Sequence, residues 1–208
     1  MNFIHDQIEA FGSTVYFLEY GVFDPQDFMD QLTSLEREQF FKFNHPKRQC
    51  EFVATRILRH SIFGFKHIHY NAVGAPYIED AGFISVSHSD HLIGIAVNKD
   101  FQIGFDLENN SDKAKRLHSK FLNQHEKIIF DLEDELEMTT CWSAKETLYK
   151  LAGRNFIDFK EELLLNKNDS DGLTGTIINP SETIEVSLHA FLYQNQIVTI
   201  NKLPVVRK

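Results

Sequence analysis

Cysteine is nearly absent from this chain, with two residues in 208, Cys50 and Cys141. They form neither a CxxC pair nor any zinc spacing, so no disulfide framework or structural zinc is to be expected, and free thiols suit a reducing compartment. Basic residues are also short: 21 Lys and Arg stand against 30 Asp and Glu, a formal net charge of −9. That balance excludes the dominant basic surface of a general nucleic-acid binder, while a small phosphorylated ligand needs only a few well-placed cations. Long apolar runs are missing, and nothing approaches the roughly 20 consecutive apolar residues of a membrane span. Asp6 and Glu9 break up the N-terminus, which therefore does not read as a signal peptide. The expectation is a cytoplasmic protein whose partners include neither nucleic acid nor membrane.

What is present is an ordinary globular composition, 42% apolar and 25% charged. Nineteen Phe residues point to a substantial core. The length suits one large domain or two intimately packed halves.

Val15-Tyr16-Phe17-Leu18 reads as a short strand. Apolar residues at helical intervals predict a helix from Phe28 to about Phe43, a break at Pro46, and a second helix from Arg48 to about Phe63. Gly74-Ala75-Pro76 reads as a turn. Phe83–Ser87 and Leu92–Val97, separated by Ser89-Asp90-His91, read as a buried hairpin, and Gln102–Glu108 as a third strand. Asn109-Asn110-Ser111-Asp112 offers capping chemistry before a helical region that runs in pieces from Lys113 to Arg154 and ends at Gly153. Strands return at Glu185–Leu192 and Ile197–Ile200. The order of elements suggests an α+β fold of two similar subdomains.

Three short stretches carry chemistry. On a strand, residues two apart share a face, so Gly104, Asp106 and Glu108 point one way while Ile103, Phe105 and Leu107 point the other. The two carboxylates would stand about 6–7 Å apart, close enough to converge on one hard cation such as magnesium. On a helix, Trp142, Glu146 and Lys150 fall at i, i+4 and i+8, a single stripe. Ser87-His88-Ser89 forms a hairpin corner. Taken singly, these are a solvated strand face, a surface Glu–Lys pair and a hydrogen-bonded structural histidine. A zinc site from His88, Asp90 and His91 lacks a further ligand at suitable spacing.

Taken in order and spacing, the stretches resemble the Sfp-type phosphopantetheinyl transferase superfamily. The matching motifs are Gly104-Phe105-Asp106-Leu107-Glu108, Trp142-Ser143-Ala144-Lys145-Glu146-Thr147-Leu148-Tyr149-Lys150, Ser87-His88-Ser89, Gly74-Ala75-Pro76-Tyr77 and Lys120-Phe121-Leu122-Asn123-Gln124-His125-Glu126. The likeness runs over about residues 40 to 155. It implies a 4′-phosphopantetheinyl transferase-like fold, two similar α+β subdomains related by a pseudo-two-fold, divided as residues 1–101 and 102–208. It implies that Asp106, Glu108 and Glu146 hold magnesium, or manganese in its place, with the pyrophosphate of coenzyme A. Lys150 would pair with a pyrophosphate oxygen, and Ser87 and His88 would contact the coenzyme, His88 at a phosphate. Lys42, Lys47 and Arg48 would hold the 3′-phosphate, and Gly74 and Pro76 would lie near the adenine. Ala75 departs from the family's usual lysine, so the adenine-side contact is weaker or made differently.

The activity so implied transfers the phosphopantetheine arm to a serine of an acyl or peptidyl carrier protein and releases adenosine 3′,5′-bisphosphate. Glu146 is the first candidate for the base that takes the serine proton and Glu126 the second, with Lys150 stabilising charge. Lys113, Lys115, Arg116 and Lys120 form a candidate patch for an acidic carrier. Two other functions would use the same residues: a magnesium-dependent phosphohydrolase, and a non-catalytic module that binds coenzyme A or a carrier.

Overall fold

Phe11 and Gly12, both at positive φ, close the first hairpin, joining β1 (Ile4–Ala10) to β2 (Ser13–Glu19). A two-residue turn with both φ values positive matches the twist of the strands it connects. This is a computed structural model, and it describes residues 3–167 and 172–208. A 3₁₀ segment, Pro25–Gln31, precedes α1 (Ser34–Phe40), so the single helix expected over residues 28–43 is divided. The divider is a capping box. Thr33 Oγ1 accepts from the Glu36 N–H at 3.3 Å, and Glu36 Oε2 accepts from the Thr33 N–H at 3.0 Å.

Helix α2 (Pro46–Phe63) starts two residues earlier than expected. Pro46 opens it instead of breaking the chain, because a first-turn residue has no use for the N–H that proline lacks. Strands β3 (His69–Tyr70) and β4 (Pro76–Tyr77) form a small hairpin, whose turn is fastened by Asn71 Oδ1 accepting from the N–H groups of Val73 and Ala75. The predicted buried hairpin is β5 (Phe83–His88) and β6 (Leu92–Asn98).

Strand β7 covers Phe105–Asn109 and is shorter than predicted. Its expected start at Gln102 is held by a side chain in place of a ladder: Asn201 Oδ1 accepts from the Gly104 N–H at 2.8 Å and Asn201 Nδ2 donates to the Gln102 carbonyl at 3.0 Å. Helices α3 (Asp112–Phe121), α4 (Glu126–Ile129) and α5 (Glu135–Ala152) are the pieces expected between Lys113 and Arg154. Then come β8 (Leu163–Lys167), β9 (Leu173–Ile178), β10 (Thr183–Tyr193), β11 (Gln196–Asn201) and β12 (Val206–Arg207).

Apart from the β3–β4 hairpin, the strands described form two antiparallel sheets, β1-β2-β6-β5 and β7-β11-β10-β9-β8, with β12 beside β10. Helix α2 buries Phe52, Val53, Ala54 and Leu58 with Leu18, Ile93 and Ile95 of the first sheet. Helix α5 buries Met138, Ala144, Leu148 and Leu151 with Leu163, Ile177, Val186 and Leu188 of the second. A third cluster joins the sheets, in which Phe105 and Leu107 of β7 meet Val15, Phe17 and Leu92. Burying four such side chains contributes on the order of 10 kcal/mol before conformational entropy is charged against it.

That third cluster decides which way β7 faces. With Phe105 and Leu107 committed to the inter-sheet core, Asp106 and Glu108 turn toward α5, as the alternation predicts. Gly104 lets the helix come close: a Cβ there would lie 2.6 Å from Leu151 Cγ and 2.7 Å from the Thr147 carbonyl oxygen.

Candidate active site

Helix α5 begins at Asp134, whose Oδ1 accepts from the Leu136 and Glu137 N–H groups, and stops at Gly153 in the left-handed region. Between these caps the stripe Trp142, Glu146, Lys150 faces β7. Lys150 Nζ donates to Asp106 Oδ1 at 2.9 Å and to the Phe105 carbonyl at 2.7 Å. Trp142 Nε1 donates to Glu108 Oε1 at 2.7 Å. Glu146 lies between them in sequence and on the same face, and no hydrogen bond to its carboxylate is found among the described residues.

Asp106 is 4% exposed. Its Oδ1 also accepts from Ser87 Oγ at 2.8 Å, while its Oδ2 is buried with no hydrogen-bond partner. Ser85, one pleat earlier on β5, bonds both backbone groups of Phe105 and so fastens β5 alongside β7.

Three carboxylates share the neighbourhood of one ammonium group, and the electrostatics show the imbalance. Burial, followed by the charge of Asp106, pushes Glu108 up to about 7 against the opposing hydrogen bond from Trp142. Burial and Asp106 likewise push Glu146 up to about 7, with Lys150 opposing. Among the described residues, no three His, Cys, Asp or Glu side chains stand in a ready-made metal-ligand arrangement. The donor chemistry nevertheless fits a hard divalent cation that takes one or two protein carboxylates plus phosphate oxygens. The orphaned Asp106 Oδ2 and the two carboxylates with raised proton affinity supply acceptors that lack positive charge.

Three cavities meet this cluster. One, about 750 Å³, is lined by Lys47, Arg48, Glu51, His88, Lys113 and Glu108. A second, about 560 Å³, is lined by Gly74, Ala75, Pro76, Tyr77, Glu146 and Lys150. The third, about 370 Å³ and mainly apolar, is lined by Leu117, Phe121, Trp142, Phe159, Lys120 and Glu108. The carboxylates therefore lie where a cationic cavity, a pocket built from the β3–β4 turn and an apolar pocket adjoin.

Within the cationic cavity, Lys47 Nζ bonds Asp90 Oδ1 at 2.7 Å, and Asn109 Nδ2 holds the other Asp90 oxygen at 2.7 Å. Arg48 Nη1 donates to Glu51 Oε2 at 2.9 Å and lies 3.1 Å from His88 Nε2.

Residues 102–200 match the family model described as the 4′-phosphopantetheinyl transferase superfamily. The matched segment takes in β7, α5 and all three carboxylates. The chain is also 29% identical over 155 residues to the 4′-phosphopantetheinyl transferase HetI of Nostoc sp. (strain PCC 7120), a match that takes in 65% of this chain and 65% of that relative's length.

In this segment, the second candidate base has its carboxylate engaged elsewhere. Glu126 is not offered to the site. It is 0% exposed, and Lys145 Nζ bonds its Oε2 at 2.7 Å while donating also to the carbonyls of Phe121 and Phe159. The Asn123 N–H bonds the same oxygen, and the Leu165 N–H bonds Glu126 Oε1 at 2.8 Å. With both oxygens occupied and no solvent contact, it joins α4, α5 and β8 as a buried ion pair. Burial lowers the Lys145 pKa, and Glu126 opposes the fall.

The remaining expected residues separate into groups. Asp106, Glu108, Glu146 and Lys150 come together. Lys47, Arg48 and His88 line one cavity, and Gly74 and Pro76 another. Ser87 turns its hydroxyl to Asp106. Lys42 stands exposed in the turn after α1 and lines neither of these cavities. In the basic patch, Lys115 pairs with Glu133 and Arg116 with Asp112, while Lys113 and Lys120 both line the apolar pocket. The sequence reading missed Glu51, Ser85 and the tryptophan bond to Glu108. Only Glu51 had a usable signal, its i,i+3 spacing from Arg48 on a predicted helix.

Proposed function

We propose that this protein transfers the 4′-phosphopantetheine arm of coenzyme A to a serine of an acyl or peptidyl carrier protein, as an Sfp-type enzyme that uses magnesium. The observation that carries the reading is the Asp106, Glu108, Glu146 and Lys150 cluster at the junction of the three cavities. Coenzyme A has three chemically distinct parts, and the cavities match them. Lys47, Arg48 and His88 would receive the 3′-phosphate end, Gly74 to Tyr77 would lie against the adenine, and the pocket of Leu117, Phe121 and Trp142 would take the less polar pantetheine arm. The two α+β halves, residues 1–101 and 102–208, divide the work in this reading, the first holding the nucleotide phosphates and the second the carboxylates.

Asp106, Glu108 and Glu146 would hold magnesium, which when bound supplies positive charge to the pyrophosphate. The protein's own part is positioning and charge stabilisation, the main demands of phosphoryl transfer. Lys150, anchored on the Phe105 carbonyl, sets a fixed positive charge beside the pyrophosphate. Glu146 lines the cavity without a hydrogen-bond partner among the described residues, which leaves it placed to take the serine proton. The P–O bond to the adenosine bisphosphate breaks as the serine oxygen bonds to phosphorus.

An acidic carrier would meet Lys113 and Lys120 at the lip of the apolar pocket, where neither is spent on an ion pair among the described residues. The direct test is mass spectrometry of apo-carrier incubated with the protein, coenzyme A and magnesium. The expected result is a gain of one phosphopantetheine group. Release of free phosphopantetheine without modified carrier would instead identify a hydrolase, and no turnover with retained coenzyme binding would identify a binding module.

A further inference from the structure

Beneath the cationic cavity lies a carboxylate that an anion site would ordinarily avoid. Glu51, on α2, is 5% exposed and lines the same cavity as Lys47, Arg48 and His88. Its Oε2 accepts from Arg48 Nη1 at 2.9 Å, and its Oε1 stands 3.6 Å from His88 Nδ1. The same Arg48 nitrogen lies 3.1 Å from His88 Nε2. These contacts form a closed triangle of one arginine, one histidine and one buried acid.

The triangle fixes the histidine's proton. A guanidinium has donors only, so His88 Nε2 accepts and the ring proton sits on Nδ1, facing Glu51. Burial lowers the His88 pKa; Glu51 opposes this, and Arg48, Lys150 and Lys47 reinforce it. Arg48 is a long side chain, 60% exposed, and without an anchor it would spread over many rotamers. The buried acid removes that freedom from below while most of the guanidinium's donors remain open to the cavity. A bare negative charge beside a phosphate site weakens binding by repulsion. Glu51 therefore makes sense there only through what it holds in place.

We propose that Glu51 is a positioning residue that, with His88 as the second brace, orients Arg48 to receive the 3′-phosphate of the coenzyme, an inference that rests on the coenzyme reading above. It touches no ligand itself. Its effect is selective: it strengthens binding of the 3′-phosphate and leaves contacts to the rest of the nucleotide alone.

Calorimetric binding of two probes, adenosine 3′,5′-bisphosphate and adenosine 5′-phosphate, tests this. Wild type should prefer the bisphosphate. Glu51→Ala should weaken bisphosphate binding about tenfold and leave the monophosphate unchanged, with Glu51→Gln, which keeps one acceptor for Arg48, in between. A wild type with no preference between the probes overturns the coenzyme reading and the inference with it. A wild type with the preference, and a Glu51→Ala variant that keeps or strengthens it, overturns the role of Glu51 alone. Should the variants fail to fold, the ¹⁵N spectrum of the wild-type His88 ring decides. An Nδ1-protonated tautomer supports the triangle, and an Nε2-protonated one overturns it.

Discussion

Trp142 donates its indole N–H to Glu108 Oε1 at 2.7 Å, so a residue of α5 sets the direction of a carboxylate on β7. The bond stabilises the charged form of Glu108 against burial and against Asp106. Trp142→Phe keeps most of the ring's packing against Phe121 and Phe159 and removes the donor. Divalent-cation affinity should drop about ten- to a hundredfold, as is typical when a partner that orients a metal ligand is lost. Titration with manganese followed by electron paramagnetic resonance reads this directly, and unchanged affinity would show that the bond does not orient Glu108 for metal.

Glu146→Gln should abolish carrier modification while the protein stays folded, because the side chain has no hydrogen bond to lose among the described residues. Lys150→Met should be worse for stability. It removes the ammonium that Asp106 and the Phe105 carbonyl both use and leaves a buried carboxylate uncompensated, at a cost of about 3–5 kcal/mol. Denaturant melts of the two variants separate the cases; equal destabilisation would contradict this assignment.

The proton affinities of Glu108 and Glu146 predict a pH dependence in chelator-treated protein. Both hold protons up to about 7 in the fold, against an ordinary value of 4.5. Below 4.5 folded and unfolded chains are both protonated at these groups, and their contribution to stability is complete. As pH rises the unfolded chain ionises first, and the contribution is lost progressively until about 7, beyond which it is flat. The wild type should therefore melt at a lower temperature at pH 7.5 than at pH 5, relative to a Glu108→Gln/Glu146→Gln variant measured alongside. Parallel curves for the two proteins would rule the coupling out.

Lys145 and Glu126 should behave as a pair. Removing either alone, as Lys145→Met or Glu126→Gln, strands its partner and should cost about 3–5 kcal/mol, whereas Lys145→Met/Glu126→Leu should recover part of that loss. None of the three should change the Michaelis constant for coenzyme A in protein that folds. A Glu126→Gln enzyme with normal stability and lost turnover would return Glu126 to the list of candidate bases.

Charge reversal at Lys113 and Lys120 should raise the Michaelis constant for an acidic carrier and make it less sensitive to salt. Reversal at Lys115 and Arg116, already paired with Glu133 and Asp112, should do less. An equal effect from both double variants would put docking on the whole face of α3.

The hairpin of β5 and β6, both long helices and the last two long strands are legible in the sequence, because each is a local run whose period or turn residues declare it. Strand β1 is not. It sits at a sheet edge with mostly exposed residues, so no apolar alternation marks it. The split between the 3₁₀ segment and α1 escaped notice because Phe28, Leu32, Leu35 and Phe40 keep helical spacing across it, and only the Thr33–Glu36 capping box reveals the restart.

The sequence by itself determined which side of β7 carries acid, since Asp106 and Glu108 alternate with Phe105 and Leu107, and which stripe of α5 carries Trp142, Glu146 and Lys150. These are consequences of fixed periods. Only the tertiary structure decided what each charge meets. Lys150 finds Asp106 across 44 residues, Trp142 finds Glu108 across 34, and Arg48 finds His88 across 40. Glu126 and Glu146 are the same side chain read from sequence. Packing against Lys145 turned one into a buried tie and left the other facing a cavity, because burial and pairing belong to a residue's surroundings and not to its type.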